Sequence, residues 1–202
     1  MSPRPAGELY DLVDVGPFGR AIGRATAFLR IPQLAAVLVA AAIAVVVAAG
    51  VSADDDGRQF AAIGIAALVV VGSLAWGRPV GGRFGWLLPG LVRGIEYGLV
   101  VRLVAVVHPT AMPAAFAYLC AVTYHHYDTV YRWRHTRGGP ASWVFVSGLG
   151  YEGRLLLVAA FLVLDVHLGV SLTVAAILLA ALYAAESATA WRAWLASRPA
   201  VS

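Results

Sequence analysis

The sequence contains no lysine: all 15 of its basic residues are arginine. In a chain this rich in alanine, valine and glycine, that bias reflects nucleotide composition more than function. There is one cysteine, Cys120, so an internal disulfide is excluded. Cys120 sits in an apolar run and says little about compartment. Charge of either sign is scarce, at 13% of residues. A soluble domain of this length needs far more charge on its surface, so a soluble fold is excluded. Familiar catalytic signatures are missing too: there is no P-loop, no G-x-S-x-G and no H-E-x-x-H. No nucleic-acid motif is present, although the net charge is +4 and the isoelectric point near 9.6. Residues 1–30 mix acids, prolines and arginines without an apolar h-region, so no signal peptide is expected.

What is there is mostly apolar. Hydrophobic residues make up 60% of the chain and the mean hydropathy is +0.78, which marks an integral membrane protein. Six apolar runs are long enough, or nearly so, to span a bilayer: about residues 31–51, 60–76, 86–107, 111–130, 143–164 and 168–190. Backbone groups cannot stay unpaired in hydrocarbon, so these runs are expected to be helices. The expected fold is an all-α integral membrane protein with six transmembrane helices. Residues 31–202 form the helical domain and residues 1–30 a cytoplasmic or interfacial segment.

The connectors alternate in charge. Arg4, Arg20, Arg24 and Arg30 precede the first run, and Asp54, Asp55 and Asp56 follow it. Arg78 and Arg83 follow the second run, Arg132, Arg134 and Arg137 the fourth, and Arg192 and Arg198 the sixth. The connectors after the third and fifth runs carry no arginine. Arginines on every second connector place those loops and both termini in the cytoplasm. The basic residues are therefore read as topological rather than as a nucleic-acid footprint. In the N-terminal segment, Phe18, Ala21, Ile22, Ala25 and Leu29 share one helical face, with Arg20, Arg24 and Arg30 on the other side. That pattern predicts an amphipathic helix, lying in the cytoplasmic interface or packed on the protein's own cytoplasmic surface.

The connector between the second and third runs, within residues 71–93, reads VGSLAWGRPVGGRFGWLLPGLVR, glycine-rich and without an acid. An interfacial helix followed by six spans resembles the CDP-alcohol phosphotransferase family, whose motif is D-x2-D-G-x2-A-R-x8-G-x3-D-x3-D. Gly72, Ala75 and Gly85 match its small-residue skeleton. The four acidic positions fall on Leu68, Val71, Pro89 and Arg93, and the arginine position on Trp76. In that family the acids hold divalent metal and activate an acceptor hydroxyl. Leucine, valine and proline side chains offer a hard cation no oxygen ligand, and Arg93 repels it. The resemblance therefore implies the fold without the metal site, and no cofactor is assigned. A second resemblance lies in HHYDTVYRWRH and GLGYEGRLLL. These segments look like an uncharacterised bacterial membrane domain found fused to, or beside, CDP-alcohol phosphotransferase domains. The implied setting is phospholipid or phospho-alcohol metabolism in a bacterial inner or plasma membrane. The implied partners are membrane lipids and a CDP-alcohol phosphotransferase or a second copy of the chain.

Ionisable residues at membrane depth need a reason. Arg93, Glu96 and Tyr97 share a face, and the i, i+3 spacing permits an Arg93–Glu96 pair. His125, Asp128, Thr129 and Arg132 share another face. Glu152 and Arg154 are two residues apart, so each is expected to find its partner on another span. With Glu186, these groups are expected at similar depth, either lining one cytoplasm-facing cavity or fixing helix register as a packed network. Three functions follow. One is a non-catalytic, accessory domain that binds a lipid headgroup or a partner enzyme. The second is an active lipid-phosphate transferase with a relocated site. There His125 or Asp128 acts as base, Glu152 assists or binds metal, and Arg93, Glu96, His126, Arg132 and Arg154 hold the phosphate-containing ligand. The third, ranked last, is a small transporter or channel subunit, because only Arg102 lies towards the other leaflet.

Overall fold

The computed structural model describes residues 11–78, 80, 83–136, 138–164 and 166–196. Arg4, Arg137 and Arg198 of the charge pattern lie outside them. The described residues are helices and short connections, with no strand among them. In chain order the helices are α1 (Pro17–Thr26), α2 (Gln33–Gly50), α3 (Asp55–Ser73), α4 (Leu88–Val107), α5 (Met112–His135), α6 (Ser142–Ser147), α7 (Gly150–Val163) and α8 (Leu168–Ala196).

Local chemistry explains most boundaries. Asp54 caps α3: its Oδ1 accepts from the Gly57 N–H at 2.7 Å and from Ser52 Oγ at 2.8 Å. That satisfies a donor the first helical turn leaves open, and Asp55 and Asp56 complement the positive end of the helix. A 3-10 turn, Leu74–Gly77, extends α3, and another, Gly85–Leu87, leads into α4. Pro89 and Pro113 sit in the first turns of α4 and α5, where a missing N–H costs nothing.

Among the described residues, four helical stretches are long and apolar enough to cross a membrane: Gln33–Gly50, Asp55–Gly77, Ser142–Val163 and Leu168–Ala196. Helices α4 and α5 have spanning length, at 20 and 24 residues. Their composition is more polar: α4 carries Arg93, Glu96 and Arg102, and the C-terminal half of α5 is filled with Tyr, His, Asp and Arg.

The fifth run is not the single continuous helix the sequence predicts. It breaks between α6 and α7, where Leu149 has φ 65° and Gly150 φ 59°. A left-handed leucine costs about 1–2 kcal/mol, so packing must hold the break. A Cβ on Gly148 would lie 2.6 Å from the Tyr183 hydroxyl, leaving room only for glycine. The Gly148 carbonyl, released from the helix, accepts from Arg154 Nη1 at 3.4 Å.

The interior is mostly apolar but encloses a set of ionisable groups, and the outer faces are apolar. Leu68, Leu99, Leu103, Tyr118, Leu155 and Leu172 are buried, but so are Glu96, Glu152, Arg154 and Glu186. The exposed faces carry Val45, Ile63, Phe116, Val170, Ile177 and Leu178. Lipid tails are as apolar as these side chains, so burying them gains little there. What makes one helix arrangement better than another is packing and polar contact, and the polar groups are accordingly turned inward.

Helix α1 docks by a glycine face. Gly19 and Gly23 are buried. A Cβ on Gly23 would lie 2.7 Å from the Trp76 carbonyl carbon, and one on Gly19 would strike Glu152 Oε1. The predicted apolar face points away from the bundle: Phe18 and Leu29 are each 49% exposed, and Ala21 and Ala25 are also exposed. The helix therefore packs on the protein through its glycines and turns its apolar face outward. Ahead of it, residues 11–13 are helical, and residues 12–16 are all buried.

Candidate functional site

The polar core is organised around Arg154 on α7. Its side chain is 1% exposed. Arg154 Nε donates to Glu96 Oε1 at 2.6 Å and Nη2 to Glu96 Oε2 at 3.1 Å, a two-pronged pairing between α7 and α4. Its Nη1 lies 2.7 Å from Asp14 Oδ2 and donates to the Tyr183 hydroxyl at 3.2 Å. One guanidinium thus ties α7 to α4, to α8 and to the N-terminal segment.

Asp14 is the second hub. It is 1% exposed and has φ 60°, a conformation that aspartate tolerates better than most residues. His126 Nε2 lies 3.2 Å from Oδ2 and His125 Nε2 3.6 Å from Oδ1. Burial would by itself push this carboxyl up; Arg154 and the two histidines reverse that and hold it well below the usual carboxylate range. The imidazoles are themselves fixed. His126 Nδ1 meets the Tyr97 hydroxyl at 2.7 Å, and His125 stacks on Tyr183 with ring centroids 4.1 Å apart.

The segment bearing Asp14 is bonded along its length. The Leu12 carbonyl accepts from Arg93 Nη2 at 2.9 Å, and the Asp14 carbonyl accepts from the Tyr151 N–H at 3.1 Å. The Val15 carbonyl accepts from Arg20 Nε at 3.0 Å, and Arg20 lies over the Phe145 ring at 4.8 Å. The Gly16 N–H donates to Glu152 Oε2 at 2.8 Å. That bond sets a carboxylate at the N-terminus of α1, where the helix dipole favours it. Oε1 of Glu152 is buried without a hydrogen-bond partner among the described residues.

A model of a family of unknown function, DUF5941, matches residues 3–202. The chain belongs to that family. No curated protein matches it. No solved structure matches it either.

In this DUF5941 chain the expected polar residues fall into two clusters rather than one. The first holds Glu96, His125, His126 and Arg154, with Glu152 and Arg93 at its border through the N-terminal segment. The second is built on Arg132, whose Nη1 and Nη2 donate to Glu186 Oε1 and Oε2 at 2.7 and 2.6 Å. Arg132 also pairs with Asp128 at 2.8 Å, and Trp191 Nε1 donates to Asp128 Oδ1 at 3.0 Å. With two carboxylates on its guanidinium, Arg132 is already neutralised. Both clusters are packed: apart from half-buried Arg93, their ionisable groups are buried.

The expected Arg93–Glu96 pair does not form. Arg93 reaches the Leu12 carbonyl, and Glu96 takes the fork of Arg154. The i, i+3 spacing allows the local pair, but a bidentate partner on another helix satisfies both oxygens of Glu96. Glu152 and Arg154 each find separate partners, as their spacing implies; the partner of Glu152 belongs to the N-terminal segment, not to a span. His125, Asp128 and Glu152, the candidate catalytic set, are not joined to one another by any hydrogen bond or ion pair. Each belongs to a different local set: His125 to Asp14, Asp128 to Arg132, Glu152 to the start of α1. Among the described residues, no group of three or more His, Cys, Asp or Glu is placed to hold a metal ion. Arg102 lies apart and exposed, with Nε donating to the Ala48 carbonyl at 2.8 Å.

The glycine-rich turn is packed against this core. Gly72 leaves the room in which the Tyr151 hydroxyl sits, 3.1 Å from where its Cβ would be. Trp76 Nε1 donates to that hydroxyl at 2.9 Å. Ala75 and Gly85 are buried, and the Ala75 carbonyl accepts from Gln33 Nε2 at 3.1 Å. Leu68 and Pro89 are buried apolar positions, and Val71 is half-buried.

The residue that sequence reasoning missed is Asp14. It lies in DLVDVGP, too short a stretch for any periodicity to assign a face. The one available signal was an acid set between two valines. Tyr183 was missed for a different reason: one tyrosine on a long apolar helix reads as packing.

Proposed function

We propose that this chain is a six-span membrane domain with both termini in the cytoplasm. It serves phospholipid or phospho-alcohol metabolism as a non-catalytic accessory component, by binding the anionic headgroup of a membrane lipid. Helices α4 and α5 complete the spans, their polar groups being turned into the bundle. The observation that carries the reading is the pair of hubs just described: a buried arginine and two histidines converge on a single carboxylate. Arginine with flanking imidazoles is a donor set suited to phosphate oxygens.

The non-catalytic reading is supported by the residues at the positions where a CDP-alcohol phosphotransferase-like core needs its acids. Leu68, Val71 and Pro89 supply no oxygen, and Arg93 supplies a positive charge.

The test uses the full chain in phosphatidylcholine nanodiscs, with and without phosphatidylglycerol. Phosphatidylglycerol is expected to raise the unfolding temperature and to copurify in preference to phosphatidylcholine. Magnesium and a CDP-linked lipid donor are expected to give no transfer to glycerol phosphate. Equal retention of the two lipids removes the headgroup reading, and magnesium-dependent transfer removes the non-catalytic one.

A further inference from the structure

The group that Arg154, His125 and His126 hold is the chain's own Asp14. We infer that residues 12–16 form a strap whose carboxylate occupies the anion site from within, and that a phosphate-bearing ligand takes the site by displacing it. This inference rests on the headgroup reading above and adds the regulation of the same site.

Four observations support it. First, the contact is electrostatic. Asp14 Oδ2 sits 2.7 Å from Arg154 Nη1 and 3.2 Å from His126 Nε2, the arrangement one phosphate oxygen would take. Second, the charge balance changes when Asp14 leaves. With the strap seated, Arg154 faces both Glu96 and Asp14. Without it, Arg154 keeps Glu96 alone and the two imidazoles lose their acceptor, so an incoming anion finds donors. Also around the strap are Arg20 from α1, Arg93 and Tyr97 from α4, Glu152 from α7, Tyr183 from α8, and Asp11 from its own segment.

Third, the seat is conformationally costly on both sides. Asp14 at φ 60° faces a turn in which Leu149 is at φ 65° and Gly150 at φ 59°. A Cβ on Gly150 would run into Gly16, so the two backbones are in direct contact. Left-handed backbone at non-glycine residues persists only where surroundings enforce it, and it is relieved when the strap leaves. Fourth, the strap has a handle. It runs into α1, whose outward face presents Phe18, 49% exposed, while exposed Phe28 and Leu29 follow directly after α1. A membrane contact at α1 can therefore pull on Asp14 through five residues of chain or fewer.

The experiment uses the full chain in nanodiscs, with Cys120→Ala as background. The variants are Asp14→Ala and, separately, Val13→Cys as a reporter in the strap; Val13 is 1% exposed. The two probes are inorganic phosphate and phosphatidylglycerol in phosphatidylcholine discs, which distinguish a free anion from a lipid headgroup. If the strap is seated at least nine-tenths of the time, its removal raises apparent affinity about tenfold or more. Asp14→Ala is therefore expected to bind one of the probes at least that much more tightly than the parent. In the Val13→Cys chain the same probe is expected to expose the thiol to maleimide, which the free protein resists. If Asp14→Ala does not fold, the labelling of the Val13→Cys chain decides alone. Binding of equal strength in parent and Asp14→Ala, with Val13→Cys protected throughout, overturns the strap and leaves the headgroup reading standing. No binding of either probe in any form overturns the headgroup reading, and the strap inference with it.

Discussion

Arg154 holds the first cluster together, because it answers the carboxylates of Glu96 and Asp14 at once and also reaches the Tyr183 hydroxyl. The three candidate deletions are therefore unequal. Asp14→Asn leaves Arg154 with Glu96, and Glu96→Gln leaves it with Asp14; each keeps a neutral pair. Arg154→Met strands both acids in the interior. Breaking a buried ion pair from one side costs about 3–5 kcal/mol, and here two acids lose the same partner. Arg154→Met is expected to lower the unfolding midpoint in detergent well beyond either single acid substitution. A midpoint equal to that of Glu96→Gln would show that Asp14 is held by the histidines alone.

At the scale of elements, the docking of α1 is decided by what its glycines lack. The backbone of residues 76–77 lies where a side chain on Gly23 would go, 2.7 and 2.8 Å from its Cβ position. Backbone atoms cannot swing away, so Gly23→Val is expected to undock α1 and make its termini sensitive to limited proteolysis. Gly94 on α4 is the control. No atom lies within 4 Å of the Cβ it would carry, and alanine in a helix interior is favoured over glycine by roughly 0.5–1 kcal/mol. Gly94→Ala is expected to leave the proteolysis pattern unchanged and the midpoint equal or slightly raised. Two glycines in two helices thus answer opposite questions: one is needed for close approach, the other is not.

For the whole molecule, arginine clusters on every second connector predict the proposed orientation. In cells carrying single cysteines on a Cys120→Ala background, Ser52→Cys is expected to react with an impermeant maleimide from outside. Thr136→Cys is expected to react only after permeabilisation. The same side for both would require an even number of passes between Ser52 and Thr136, and would remove either α4 or α5 as a span. These two helices matter most here, because they bring Glu96, His125 and His126 to the core. Their polarity weakens the case for them as spans by composition and at the same time supplies the groups that hold the bundle together.

The all-helical class and the approximate limits of α2, α3, α4 and α8 were legible in the sequence. An apolar run in a chain with few charges has only one way to satisfy its backbone in lipid. That Glu152 and Arg154 must look to different partners was legible too, from helical spacing alone. The break in the fifth run was not, since the close approach of Tyr183 to Gly148 comes from another helix and leaves no trace in the local sequence. Nor was the pairing of charges: Glu96 chose Arg154 over Arg93, three residues away, because a fork on another helix fits a carboxylate better than a neighbour on the same turn. The sequence by itself determined which groups had to avoid lipid. Only the tertiary structure decided which of them met, and it brought in Asp14 from outside the spans because an ionised arginine buried at that depth attracts a second carboxylate wherever the chain can deliver one.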